Sequence, residues 1–106
     1  MTGPRALPRP PAATEKQLAA KVRDLAALFG WDRYHTHRSD FSPAGFPDET
    51  LVRPPRLIFA ELKSDSPHAK PSPAQQTWLD VLARIPGVEV YLWRPKDLDL
   101  IVRILR

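Results

Sequence analysis

The sequence predicts an α/β (α+β) domain: a mixed central sheet flanked by helices and followed by a C-terminal helix. Three observations predict it. An apolar stripe at helical spacing runs through residues 18–29. Two strand-like runs flank Pro54-Pro55, the mark of a hairpin. A strand, helix and strand then follow within residues 57–93, which requires a parallel crossover.

The first helix starts at a capping box. Thr14 is the N-cap and Gln17 stands at the third helical position. Leu18, Val22, Leu25 and Phe29 form its buried stripe, and Gly30 suits the C-terminal end. Trp31 to His37 has the aromatic and β-forming character of a strand. Arg38 to Phe46 is a loop rich in Ser, Pro and Gly. Glu49–Val52 and Leu57–Lys63 read as paired strands, because proline cannot donate to a ladder and so places Pro54-Pro55 in the turn. Ser64 to Ser72 is a polar loop. Ser72 then caps a second helix that opens on Pro73. Trp78, Leu79, Leu82 and Ile85 are its apolar positions, and Pro86-Gly87 ends it. Val88–Trp93 is a further strand. Pro95–Leu105 is the last helix, with Leu98, Ile101, Val102 and Leu105 on one face.

With 106 residues, 42% of them hydrophobic, the chain suits one domain with a modest core. Residues 1–13 hold four prolines and few bulky apolar side chains, so they read as an extended tail before a domain spanning 14–106. No apolar run suggests a membrane span or a signal peptide. The absence of cysteine excludes disulfides, thiolate zinc sites and a cysteine nucleophile, and a cytoplasmic location is the expectation. The net charge is +4, but residues 14–106 carry 14 basic against 12 acidic residues. Global charge is thus a weak pointer to nucleic acid, and local arrangement must carry any such reading.

One arrangement stands out in 45-GFPDETLVRPPRLIFAELKS-64. The second hairpin strand is apolar on both faces until Glu61 and Lys63, which share a face about 7 Å apart along the strand. A turn centred between Pro54 and Pro55 pairs Leu51 with Ile58 and Thr50 with Phe59, and brings Asp48 opposite Glu61. Directly opposed Cβ atoms lie about 5 Å apart, so the two acids would repel without compensation. A hard divalent cation such as Mg²⁺ takes oxygen ligands and would supply it. Lys63 could then orient a water or stabilise charge on a phosphate. On spacing alone, an ordinary ion pair between Glu61 and Lys63 explains the pattern as well. Glu15, at the start of the first helix, either joins this patch or simply complements the helix dipole.

Pro47-Asp48 followed by Glu61-Leu62-Lys63 resembles the signature of the PD-(D/E)xK nuclease superfamily. The chain is more narrowly similar to the VRR-NUC (virus-type replication–repair nuclease) family. The resemblance runs over about residues 14–105: Glu15, Gly30-Trp31, Gly45-Phe46-Pro47-Asp48, Phe59 to Lys63, Gln75 with Trp78-Leu79, and Val90 to Pro95. It implies a restriction-endonuclease-like αβββαβ core and a DNA endonuclease dependent on Mg²⁺ or Mn²⁺. It implies Asp48 and Glu61 as metal ligands, the Leu62 carbonyl as a backbone ligand, and Lys63 as the group that positions the attacking water. Glu15 becomes a supporting acid and Gln75 the helix residue that reaches the site. Glu49-Thr50 after Pro-Asp departs from the family, which more often has an apolar residue there. Phage-type members of this minimal form imply branched DNA, such as Holliday junctions, as substrate. Two symmetric cuts would then require a homodimer. The alternative is a non-catalytic DNA-binding or assembly module on the same fold.

Arg33, His35, Arg38, Arg53, His68 and Lys70 are the candidate contacts to the DNA backbone, with Arg56 a further one. His35 and His37, with Asp40 nearby, lack convincing third and fourth zinc ligands, so polar positions beside a DNA cleft or on a strand edge are the better reading. Trp31, Trp78 and Trp93 are read as packing residues.

Overall fold

The computed structural model describes residues 13–37 and 41–106; most of the expected proline-rich tail, and Arg38 and Asp40, lie outside that range. Helix α1 (Glu15–Leu28) opens on the capping box, with Thr14 and Gln17 each satisfying the other's backbone N–H. It is followed by strands β1 (Asp32–His35), β2 (Glu49–Arg53) and β3 (Arg56–Leu62), helix α2 (Pro73–Ala83), strand β4 (Val88–Trp93), a 3₁₀ turn at Pro95–Asp97, and helix α3 (Leu98–Leu105). The sheet order is β1-β2-β3-β4, antiparallel except for the parallel β3–β4 pair.

The hairpin register is the one the proline turn dictates. Arg53 pairs with Arg56, Leu51 with Ile58, and Thr50 with Phe59. Strand alternation then divides the side chains between two layers. Leu51, Ile58, Ala60, Leu62 and Trp93 join Leu18, Val22 and Ala26 of α1 and Ile101 and Leu105 of α3 in one buried core. Helix α2 covers the opposite face, where Phe46 meets both Phe59 and Trp78 edge-on at 5.7 and 5.1 Å.

Several boundaries differ from the sequence reading. Strand β1 is shorter than Trp31–His37. Trp31 is buried instead, donating its indole N–H to the Leu105 carbonyl at 2.8 Å. Helix α2 stops at Ala83, so Ile85 lies beyond it and is exposed rather than packed. The stretch Pro95–Leu105 starts as a 3₁₀ turn before becoming α-helical. Trp93 is buried as expected, whereas Trp78 is only half-buried.

At the closed end of the hairpin, two arginines tie the layers together. Arg53 donates to the carbonyls of Phe29 and Leu105, both at 3.0 Å, and so links the ends of α1 and α3. Arg56 donates to the Ile104 carbonyl and makes a two-pronged pair with Glu89. Both guanidiniums lie over the Trp31 ring, 4.5 and 4.9 Å from its centroid. Burial of Trp31 therefore depends on these helix-end contacts as well as on apolar packing.

On the same face as the main core, Glu49 is fully buried and fully compensated. Its two oxygens accept from Arg33 at 2.7 Å each, and His35 Nδ1 lies 2.8 Å from one of them. Removing one member of a buried charge set leaves the others uncompensated, at a cost of about 3–5 kcal/mol. Glu49→Ala should therefore lower stability by about 3 kcal/mol in urea unfolding, the low end of that range, because Arg33 and His35 are partly exposed.

Candidate active site

The candidate site forms where β3 ends. Glu61 alternates with Ala60 and Leu62, so it points away from the main core, toward α2. It is nevertheless 1% exposed. Asp48 sits just before β2, one step past the last ladder pair, Glu49 with Ala60. The Thr36 N–H donates to the Asp48 carbonyl and the Thr36 hydroxyl to the Pro47 carbonyl, both at 2.8 Å. These bonds extend the β1–β2 pairing and fix the Asp48 backbone. The Asp48 side chain then reaches across the hairpin, where Oδ2 accepts the Leu62 N–H at 2.8 Å.

Gln75 approaches from above, and its orientation is set by helix capping. Its Oε1 accepts the Ser72 N–H at 2.8 Å, while the Ser72 hydroxyl accepts the Gln75 N–H. With the amide oxygen used in this way, the amide NH₂ must face the sheet. It donates to Glu61 Oε1 at 3.1 Å. Lys63, only 13% exposed, places Nζ 4.0 Å from the same oxygen.

The other oxygen, Glu61 Oε2, is buried and has no hydrogen-bond partner. Asp48 is the neighbouring acid, and two ionised carboxylates cannot bond to each other unless one of them takes up a proton. Burial first, and then Asp48, pushes the Glu61 carboxyl up to about 9; Lys63 pulls it down, and Glu15 adds a small upward push. Burial and the neighbouring Asp48 carboxylate thus favour the protonated form of Glu61 when no cation is bound.

A divalent cation would replace that proton. The unpartnered Oε2, the adjacent second carboxylate and the raised pKa together are what a two-carboxylate oxygen site needs. Among the described residues, no three His, Asp or Glu side chains form a ready-made metal cluster. Backbone oxygen and water would have to complete the shell, as suits an ion that keeps several waters.

The predicted site residues fall into two groups. The structure brings Asp48, Glu61, Lys63 and Gln75 together. Glu15 is exposed at the start of α1 and reaches Glu61 only through its charge. Arg33 and His35 lie with Glu49 on the other face of the sheet. Arg53 is at the far end of the hairpin, its guanidinium committed to main-chain carbonyls. His68 and Lys70 are exposed on the loop after Lys63, and Arg38 lies outside the described residues.

Two positioning residues were not assigned from sequence. Gly45 has φ +97°, and a Cβ there would lie 2.6–2.8 Å from the backbone of Ala74 and Gln75. The glycine lets the Asp48 loop touch the first turn of α2. Arg94 donates to the carbonyls of Ser64 and Ala69 at 2.7 and 2.6 Å, pinning the loop that carries His68. Nothing in the sequence ties Arg94 to a loop some thirty residues earlier.

Two predictions follow from this geometry. Gly45→Ala combines a disfavoured φ with a backbone clash, so it should cost roughly 1–3 kcal/mol and weaken Mg²⁺ binding by displacing Gln75. Unfolding in urea and calorimetry check the two effects. For Glu61, the folded chain holds a proton that the unfolded chain releases between pH 4.5 and about 9. In the metal-free protein its contribution to stability is thus fullest below pH 4.5 and declines as pH rises toward 9. Glu61→Gln should flatten this decline. Mg²⁺ binding near pH 7 should release about one proton, seen as a heat that changes with buffer ionisation enthalpy.

No family model matches the chain, and no curated protein does. Among the solved structures that share its fold are the following two. One, described as "VRR_NUC domain", superposes with a TM-score of 0.67 at 19% identity, covering 86% of this chain and 97% of its own. The other, described as "VRR_NUC domain protein", has a TM-score of 0.67 at 20% identity, covering 89% of this chain and 86% of its own. The mixed four-stranded sheet between α2 on one face and α1 and α3 on the other is the VRR-NUC family fold.

Proposed function

We propose that this domain, residues 14–106, is a metal-dependent DNA endonuclease that hydrolyses phosphodiester bonds. The observation that carries this reading is Glu61: a buried carboxyl with one oxygen unpartnered, beside Asp48, with the Lys63 ammonium 4.0 Å from its other oxygen. A purely structural ion pair would leave no such unsatisfied atom. Glu49 on the opposite face shows what full compensation looks like in the same sheet.

Asp48, Glu61 and the Leu62 carbonyl would hold Mg²⁺ or Mn²⁺, with Glu15 contributing through its charge or through water. When bound, the ion supplies positive charge at the scissile phosphate and lowers the pKa of a coordinated water. Asp48 is held in place by the Leu62 N–H, and Gln75 holds Glu61 by one oxygen while leaving the other free. Lys63 orients the attacking water and offsets the charge that develops on the phosphate. Water adds to phosphorus, the bond to the 3′ oxygen breaks, and that oxygen leaves with a proton, giving 5′-phosphate and 3′-hydroxyl ends. No covalent intermediate with the protein is required.

Branched DNA, such as a Holliday junction, is the proposed substrate, cut by a homodimer. Residues 14–106 carry little net positive charge, so one copy offers a small electrostatic footprint, and a twofold dimer doubles it. His68 and Lys70 are the proposed backbone contacts nearest the site. No helix among the described residues is long and apolar enough to cross a membrane.

The test is cleavage of a four-way junction, flap, splayed arm, duplex and single strand with Mg²⁺ or Mn²⁺, alongside a mass measurement in solution. The parent should cut with metal and not with EDTA. Lys63→Ala and Asp48→Asn should each lose at least about a hundredfold in kcat, the scale of losing one preorganised charge-stabilising group. Failure of the parent to cut any of these DNAs with either metal would refute the enzymatic reading.

A further inference from the structure

Between β1, the segment 42–48 and the start of α2 lies a cleft of about 1130 Å³, opening directly beside Asp48 and Gln75. That is just above the roughly 300–1,000 Å³ typical of clefts that take small organic ligands. Tyr34, His37, Phe46 and Trp78 are among its walls. Apart from the titratable His37, Asp48 carries the only charge among the described lining residues. Among the described lining residues, a phosphate would find no lysine or arginine. A neutral planar group would find aromatic walls.

The aromatic residues are not equivalent. Phe46 and Trp78 are spent on each other and on Phe59. Tyr34 is 65% exposed, and neither its ring nor its hydroxyl has a partner among the described residues. It pairs with Thr50, two residues from Asp48 on the same sheet face. Such diagonal positions on neighbouring strands lie about 7–8 Å apart, within reach of a large side chain. A free aromatic ring one nucleotide's reach from the acidic pair is a stacking platform.

We propose that this cleft receives an unpaired nucleobase of the strand being cut, stacked on Tyr34, while the adjoining phosphate lies at Asp48 and Glu61. The proposal rests on the nuclease reading and narrows its substrate class: the cut strand is unpaired next to the scissile bond, as in a flap or splayed arm. A fully paired four-way junction would have to open a pair at its branch point. Duplex DNA would enter only by extruding a base, at the cost of unstacking and unpairing it. Base identity matters little, because every base presents a π-face.

Two measurements on the full chain test it. The first is binding, read as the fluorescence of a single-stranded oligonucleotide carrying 2-aminopurine, with Ca²⁺ in place of Mg²⁺. Stacking should quench the fluorophore at one or two positions. Tyr34→Ala should abolish the quench, and Tyr34→Phe and Tyr34→Trp should keep it. The second is cleavage, once the cut position is mapped. Tyr34→Ala should raise KM roughly ten- to hundredfold, the worth of one base–aromatic stack. An abasic residue beside the cut should erase the difference between parent and Tyr34→Ala, which a folding defect would not do. Intact cleavage with no quench, or an equal loss on abasic and normal DNA, would overturn the stacking proposal and leave the nuclease reading standing. A Tyr34-dependent quench without cleavage on any DNA would support the cleft and refute the nuclease.

Discussion

The site depends on one geometric constraint, the register of the β2–β3 hairpin. Arg53 and Arg56 close it around Pro54-Pro55, and every pair outward to Glu49 and Ala60 follows in step. Because side chains alternate, a slip of one residue would send Glu61 into the apolar core and Leu62 to the cleft. Several contacts guard against this. At the closed end, Arg53 and Arg56 bind the ends of α1 and α3 and stack on Trp31. At the last ladder pair, Glu49 is locked to Arg33 and His35 of β1. At the open end, Asp48 takes the Leu62 N–H. The arginines far from the chemistry thus serve it by holding the ladder in place.

Against that rigid frame, the acidic pair is held in tension. Burial makes the Glu61 charge expensive, and Asp48 makes it more so. Gln75 and Lys63 relieve only one of its two oxygens. The fold accepts this because the surroundings leave Glu61 no alternative: Gln75 is fixed by the α2 capping box, and the α2 start is fixed against Gly45.

The sequence made the ladder legible because each signal was short-range. The proline pair set the turn, and counting outward from it set the register, including the encounter of Asp48 with Glu61. The helix starts were equally plain, since capping boxes are written within four residues. What stayed hidden depended on contacts distant along the chain. Arg33, His35 and Arg53 looked like surface cations, and only the folded sheet shows them serving Glu49 and the helix ends. Arg94 gave no hint of its grip on the loop at 64–69. Trp31 read as the first residue of a strand, whereas its indole answers a carbonyl 74 positions later.

Glu49 and Glu61 stand one ladder step apart on neighbouring strands and face opposite sides of the same sheet. One has both oxygens partnered, by Arg33 and His35; the other is left short by one bond. The protein therefore contains its own internal control. Burial is common to both acids, so any difference in how they respond to acid, to Mg²⁺ or to amide substitution reports their neighbours: Arg33 and His35 for one, Asp48, Lys63 and Gln75 for the other.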